Sequence, residues 1–181
     1  SFLTVSADVL TREGCDAMVG QALEHGPLDA LVHLVGGYEG GSVAETSDRT
    51  WDGMMNVNLR TAFCAMRAAL KPMLAASRGR IVAVGSRAAV QPAPGMAAYA
   101  VSKAALVALV KNVAAETSKS GVTANVVLAS IIDTPENHAA FPQADVSRWV
   151  APESIAKVIV WLVSDAAADI SGSVVPVYGR S

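Results

Sequence analysis

Nearly unbroken aliphatic runs at residues 31–35, 81–84, 123–128 and 174–178 recur along the chain, each separated from the next by a long connection, most of it with helical periodicity. Such runs suit strands covered on both faces, not the half-wet strands of an antiparallel sheet. Connections through helices let neighbouring strands point the same way. The fold class expected is therefore α/β, a doubly wound parallel sheet, with residues 1–181 as a single domain.

The intervening stretches support this order. Cys15, Met18, Val19, Ala22 and Leu23 fall on one face of a helix over residues 12–25, which Gly26-Pro27 stops. Thr46, Ser47 and Asp48 offer caps for a long helix to about Pro72, with Trp51, Met55, Asn58, Ala62 and Met66 in phase on its apolar stripe. A third helix is expected from about 97 to 120, closed by Gly121, and a last one from near Pro152. Residues 2–6 read as a short leading strand, and residues 129–150 as an irregular loop holding Phe141 and Trp149.

Composition narrows the function class. Lys and Arg total 14 against 16 Asp and Glu, a net charge of −2, so there is neither a basic face for nucleic acid nor a polybasic membrane patch. No apolar run reads as the roughly 18–20 residues of a bilayer span, and no signal pattern opens the chain. A soluble cytoplasmic protein is expected. Cys15 and Cys64 lie far apart in sequence, and His25, His33 and His138 are scattered, so neither a disulfide framework nor a metal site is expected.

Four positions could carry chemistry. Tyr99 and Lys103 stand four residues apart on one helix face, where a cation near a phenol favours its ionised form. The same spacing also occurs on ordinary amphipathic helices. Ser86 follows the 81–84 strand at the end where parallel sheets bind ligands, and a hydroxyl there can donate to a carbonyl oxygen gaining charge. It could equally close a turn on its own backbone. Asn58 is an amide on an apolar stripe, which needs partners whether it ties down backbone or serves catalysis.

In order and spacing, Asn58, Ser86, Tyr99 and Lys103 resemble the catalytic tetrad of the short-chain dehydrogenases/reductases. The matching segments are Val57-Asn58-Leu59, Gly79-Arg80-Ile81-Val82-Ala83-Val84-Gly85-Ser86 and Tyr99-Ala100-Val101-Ser102-Lys103. Residues 125–134 are similar to that family's Asn-x-x-x-Pro-Gly-x-x-x-Thr segment, and the likeness covers essentially the whole chain. It implies a Rossmann-like fold and an oxidoreductase that moves a hydride between NAD or NADP and a carbonyl/alcohol carbon of a small molecule. A homo-oligomer, dimer or tetramer, is implied as well. Tyr99 would be the acid/base, Ser86 would polarise the carbonyl, Lys103 would hold the nicotinamide ribose and lower the Tyr99 pKa, and Asn58 would hold a relay water. Asp8 and Val9 would border the adenine, Gly36 the adenine-ribose pocket, and Ile132 and Thr134 would also touch the cofactor. Phe141 and Trp149 would wall the substrate beneath a loop spanning about 131–150.

The sequence departs from the family pattern in three places. His33-Leu34-Val35-Gly36 stands where Asn-Asn-Ala-Gly is usual, and Ala129-Ser130 where Pro-Gly is usual. The glycine-rich first unit that cradles a pyrophosphate is not in these residues; Gly36, Gly37, Gly40 and Gly41 do not supply it. The sequence reads as starting at what would be the third strand, with roughly 40–50 encoded residues expected ahead of it. Residues 36–41, 94–96 and 133–149 resemble more closely the dihydropteridine-reductase branch, which reduces a flat quinonoid ring without relying on the serine. That activity is one alternative. A non-catalytic remnant lacking its cofactor half is another, and cofactor binding separates them.

Overall fold

The computed structural model describes residues 2–180. Its elements run α1 (Arg12–Leu23), β1 (Ala30–His33), α2 (Asp48–Met55), α3 (Thr61–Ala75), β2 (Gly79–Ser86), α4 (Ala97–Glu116), β3 (Val122–Ala129), α5 (Pro135–Ala140), α6 (Pro152–Val163) and β4 (Val174–Val177). The four strands form one parallel sheet in the order β1-β2-β3-β4. This is the expected α/β architecture, and its long central pair β2 and β3 runs in register from Gly79 beside Val122 to Ser86 beside Ala129.

Both faces of that central pair are covered, which is why β3 is buried at every position. On one face Met66, Ala69 and Met73 of α3 and Leu106, Val110 and Val113 of α4 close over Ile81, Ala83, Ala124 and Val126. On the other, Ile155, Ile159 and Leu162 of α6 close over Val82 and Val127. The pleat decides this division, since alternate side chains leave a strand on opposite faces. Gly79 lets the first of these layers approach closely, because a Cβ there would lie 2.5 Å from the Met73 sulfur. Asn125, fully buried in β3, accepts from the Ser173 N–H and donates to the Ile170 carbonyl, anchoring the chain that leads into β4.

Three expectations need correction, those for residues 2–6, for the 31–35 run and for the lack of a span-length apolar stretch. Residues 2–6 form no strand, for no ladder reaches them: β1 ends the described sheet and pairs only with β2. The 31–35 run is not covered on both faces. Leu31 and His33 turn toward the side covered by α1, α3 and α4, while Val32 and Leu34 point away from it and are 38% and 66% exposed. Cys15 and Cys64, remote in sequence, meet in one buried cluster where α1 packs on α3, both as free thiols. Finally, α4 is long and apolar enough to cross a bilayer by composition, yet half of it is buried, mostly against the sheet and α3.

The long helix expected from Asp48 is interrupted. Residues Asn56–Arg60 form one wide π-helical turn between α2 and α3. The turn inserts a residue into the helical phase. Upstream of it Met54 is buried and Trp51 is 41% exposed, so the apolar stripe read through Trp51 and Met55 does not continue across it.

His33 is a core histidine with a definite tautomer. The Thr61 hydroxyl donates to the Val57 carbonyl at 2.8 Å, so toward His33 Nε2, 3.3 Å away, it accepts, and the ring proton is on Nε2. Burial, helped by the Lys103 ammonium, pulls the imidazole from 6.5 down to about 4. The unfolded chain binds this proton below 6.5 while the folded chain does so only near 4. Its stabilising contribution is thus full above 6.5 and is lost as the pH falls toward 4, about 3 kcal/mol in all. Denaturant unfolding across that window should show a steeper acid limb in the parent than in His33→Asn; equal slopes would contradict the assignment.

Candidate active site

β2 ends at Ser86, whose hydroxyl accepts from the Ala88 N–H at 3.2 Å and caps the short 3-10 turn Arg87–Ala89. The turn reading and the catalytic reading of Ser86 are therefore compatible. Accepting from Ala88 leaves the hydroxyl hydrogen free to donate, and the Ser86 side chain lies near enough to the Tyr99 phenol to favour the phenolate. Tyr99 lies in the first turn of α4, whose start is tied to the loop after β1. Gly41 N–H donates to the Gly95 carbonyl at 2.8 Å, and Ala97 N–H to the Gly41 carbonyl at 3.1 Å.

Asn58 is fully buried in the π turn and spends its amide on backbone. Its oxygen accepts from the Gly37 N–H and its Nδ2 donates to the Gly37 carbonyl, both at 3.0 Å. Nδ2 also donates to Ser102 Oγ at 3.1 Å, and that hydroxyl donates onward to the Tyr99 carbonyl at 2.8 Å. One amide thus fixes the glycine loop and the catalytic end of α4 together. Ser102 and Gly37 were not marked by sequence reasoning; the small hydroxyl inside the Tyr99–Lys103 segment was the only available signal.

Lys103 is buried and donates from Nζ to the Val84 carbonyl at 3.1 Å. Burial lowers its pKa from 10.5 to about 8, which leaves it a cation at neutral pH. The expectation that Lys103 lowers the Tyr99 pKa is not met. Burial pushes the phenol up, Ser86 opposes this, and Tyr38 adds to it. With its ammonium engaged on the β2 backbone, Lys103 is not among the groups that shift Tyr99.

A nicotinamide cofactor can be tested against this space. A Cβ built on Gly36 would lie 2.9 Å from Lys103 Nζ and 3.0 Å from Asn58 Oδ1, so only bare backbone leaves room there. A glycine beside a buried ammonium is the cradle a ribose needs, and the residues present fit the group at that end. Asp8 caps its own turn through Leu10 N–H at 3.0 Å. Val9 and Leu10 are held by Cys15 Sγ, Cys64 Sγ and Arg60 Nε on their carbonyls, so the 8–10 segment rests on α1, the π turn and α3.

The remaining expected residues belong to the loop. Ile132 bridges to Val150 and accepts from Asn137 Nδ2 at 2.8 Å, while the Thr134 hydroxyl caps α5. The loop is not wholly irregular: α5 and a 3-10 turn at Val146–Arg148 give it its own hydrogen bonds. Trp149 packs on His138 at 4.9 Å between ring centroids, and Phe141 is half exposed at the end of α5.

The family described as enoyl-(acyl carrier protein) reductase matches residues 1–179. The chain belongs to the short-chain dehydrogenase/reductase family. It is 36% identical to "inactive 2-(S)-hydroxypropyl-CoM dehydrogenase 2" of Xanthobacter autotrophicus over 97% of its own length and 83% of the relative's. It is also 36% identical to 2-(S)-hydroxypropyl-CoM dehydrogenase 3 of the same organism, over 96% and 74%. Among solved structures of this family, ElxO with NADP bound superposes with a TM-score of 0.90 at 26% identity, covering 99% of this chain and 77% of that one. Ser86 closes β2, Lys103 donates to the Val84 carbonyl, and Asn58 holds Gly37 beyond β1 and, through Ser102, the Tyr99 carbonyl, so the structure gathers these side chains near the carboxyl ends of the strands, where parallel sheets bind ligands.

Proposed function

We propose that this NAD(P)-dependent oxidoreductase moves a hydride to or from a carbonyl/alcohol carbon of a small molecule, with Tyr99 giving or taking the matching proton. The observation that carries the reading is Ser86 at the end of β2, close enough to the Tyr99 phenol of α4 to favour its ionised form, with the buried Lys103 ammonium one helical turn beyond Tyr99. NAD or NADP, when bound, supplies or accepts the hydride. Lys103, Ile132 and Thr134 would hold its nicotinamide half, and Asp8, Val9 and Gly36 its adenine and adenine-ribose end.

Each side chain has a defined task. Burial keeps the Tyr99 phenol protonated at neutral pH, so it can donate as a carbonyl oxygen gains charge. Ser86 donates a second hydrogen bond to the same oxygen. Asn58 holds the glycine loop at Gly37 and, through Ser102, the Tyr99 backbone. Phe141 and Trp149 on the 131–150 loop would exclude water from the substrate side. We place the protein in the cytoplasm as a homo-oligomer, dimer or tetramer.

Titrating the full chain with NADH and with NADPH, followed by nicotinamide fluorescence, tests the reading. Saturable binding of one or both is expected, with oxidation of the bound nucleotide on adding a ketone. Binding of neither would overturn it and favour the non-catalytic remnant.

A further inference from the structure

We infer that Tyr38 is a specificity-determining residue of this site: its ring walls the approach to the Tyr99 phenol and selects substrates with a flat, conjugated group beside the reacting carbon. The inference rests on the function proposed above and deepens it.

The two rings meet edge to face, with centroids 5.0 Å apart and planes at 84°. A carbonyl that takes the Tyr99 proton must come within about 2.6–3.2 Å of the phenol oxygen. A ring standing perpendicular at that separation therefore borders the approach path. Tyr38 is 54% exposed, so much of its surface is open to a ligand.

The wall is held on three sides. Asn58 grips Gly37 through both its N–H and its carbonyl. Glu39, next in sequence, accepts from the Thr50 hydroxyl at 2.7 Å. Gly41 is stapled to residues 95 and 97 ahead of Tyr99. Gly40 sets the ring's direction, since a Cβ there would lie 3.0 Å from the Tyr38 hydroxyl and 3.2 Å from the Gly95 carbonyl. Tyr38 and Tyr99 thus ride on two segments fastened to each other, and the pair is fixed before substrate arrives. Tyr38 also contributes, after burial, to holding the Tyr99 phenol in its protonated form.

A fixed aromatic wall discriminates by shape. A conjugated substituent can lie against it or meet it edge-on, a contact worth about 2- to 12-fold beyond simple burial. A puckered ring of the same carbon skeleton gains only the burial.

The test compares acetophenone with cyclohexyl methyl ketone in the parent chain, Tyr38→Phe and Tyr38→Ala, with reduced nicotinamide nucleotide present. The ratio of kcat/KM values between the two ketones cancels their intrinsic reactivity once variants are compared with the parent. Tyr38→Ala is expected to lower the preference for acetophenone by about 2- to 12-fold, mostly through KM. Tyr38→Phe should keep it. An unchanged ratio in Tyr38→Ala overturns the proposal. Nucleotide binding by the parent with reduction of neither ketone overturns the proposal and leaves the function above standing, whereas absence of nucleotide binding overturns that function itself.

Discussion

Tyr99→Phe is expected to lower turnover by about 10²–10⁴-fold, the usual worth of a positioned proton donor, while nucleotide binding is retained. The ring stays, so its edge-to-face contact with Tyr38 and the carbonyl bond from Ser102 remain. Only the hydroxyl that faces Ser86 is lost. The effect should therefore appear in kcat, with the nucleotide dissociation constant little changed and the thermal midpoint near that of the parent. A variant that turns over at the parental rate would remove Tyr99 from the chemistry. One that loses nucleotide binding as well would show that the phenol serves binding and not proton transfer alone.

Ser86→Ala is the second large effect. As hydride reaches a carbonyl carbon, negative charge grows on one oxygen, and two donors are present to meet it. Losing one such donor typically costs ~2.7–4 kcal/mol in the transition state, or about 10²–10³ in rate. The substitution also deletes the Ala88 cap, so unfolding should be measured beside activity, with a cost of about 1 kcal/mol expected there. A quinonoid pterin would respond differently, because its charge spreads over ring nitrogens. Ketone reduction that collapses in Ser86→Ala supports the carbonyl reading. Pterin reduction that survives the change, in a chain inactive on ketones, would favour the quinonoid alternative.

Much of this was legible in the residues. The aliphatic runs located β2 and β3, because strands in the middle of a parallel sheet have no wet face to encode, and also β4, which ends the described sheet and is only part-buried. Ser86, Tyr99 and Lys103 could be placed on a strand end and a helix face from spacing alone. The rest depended on groups that carry no side-chain signal. The partners of Asn58 at Gly37 are backbone atoms, and that of Lys103 is the Val84 carbonyl. The uncovered face of β1 reflects which helices lie over it among the described residues, not its own composition, so Val32 and Leu34 read as core and are exposed in this chain. The direction of the Tyr99 shift was misjudged for a related reason: spacing gave the nearness of Lys103 but not how deeply the phenol is buried or where the ammonium points.

The wide turn at Asn56–Arg60 has a bearing on how this gene can change. Removing any one codon between 56 and 60 would relax the segment into a continuous α-helix, locally an easier backbone to form. Each residue of an α-helix advances by about 100°, so everything upstream would be re-aimed by that angle relative to α3. The amide at 58 would then lose its grip on the glycine loop, and the reacting end of the protein would come apart while the core at 62, 66, 69 and 73 stayed closed. A frame-preserving deletion there would separate folding from catalysis, leaving a protein that is well made and chemically idle.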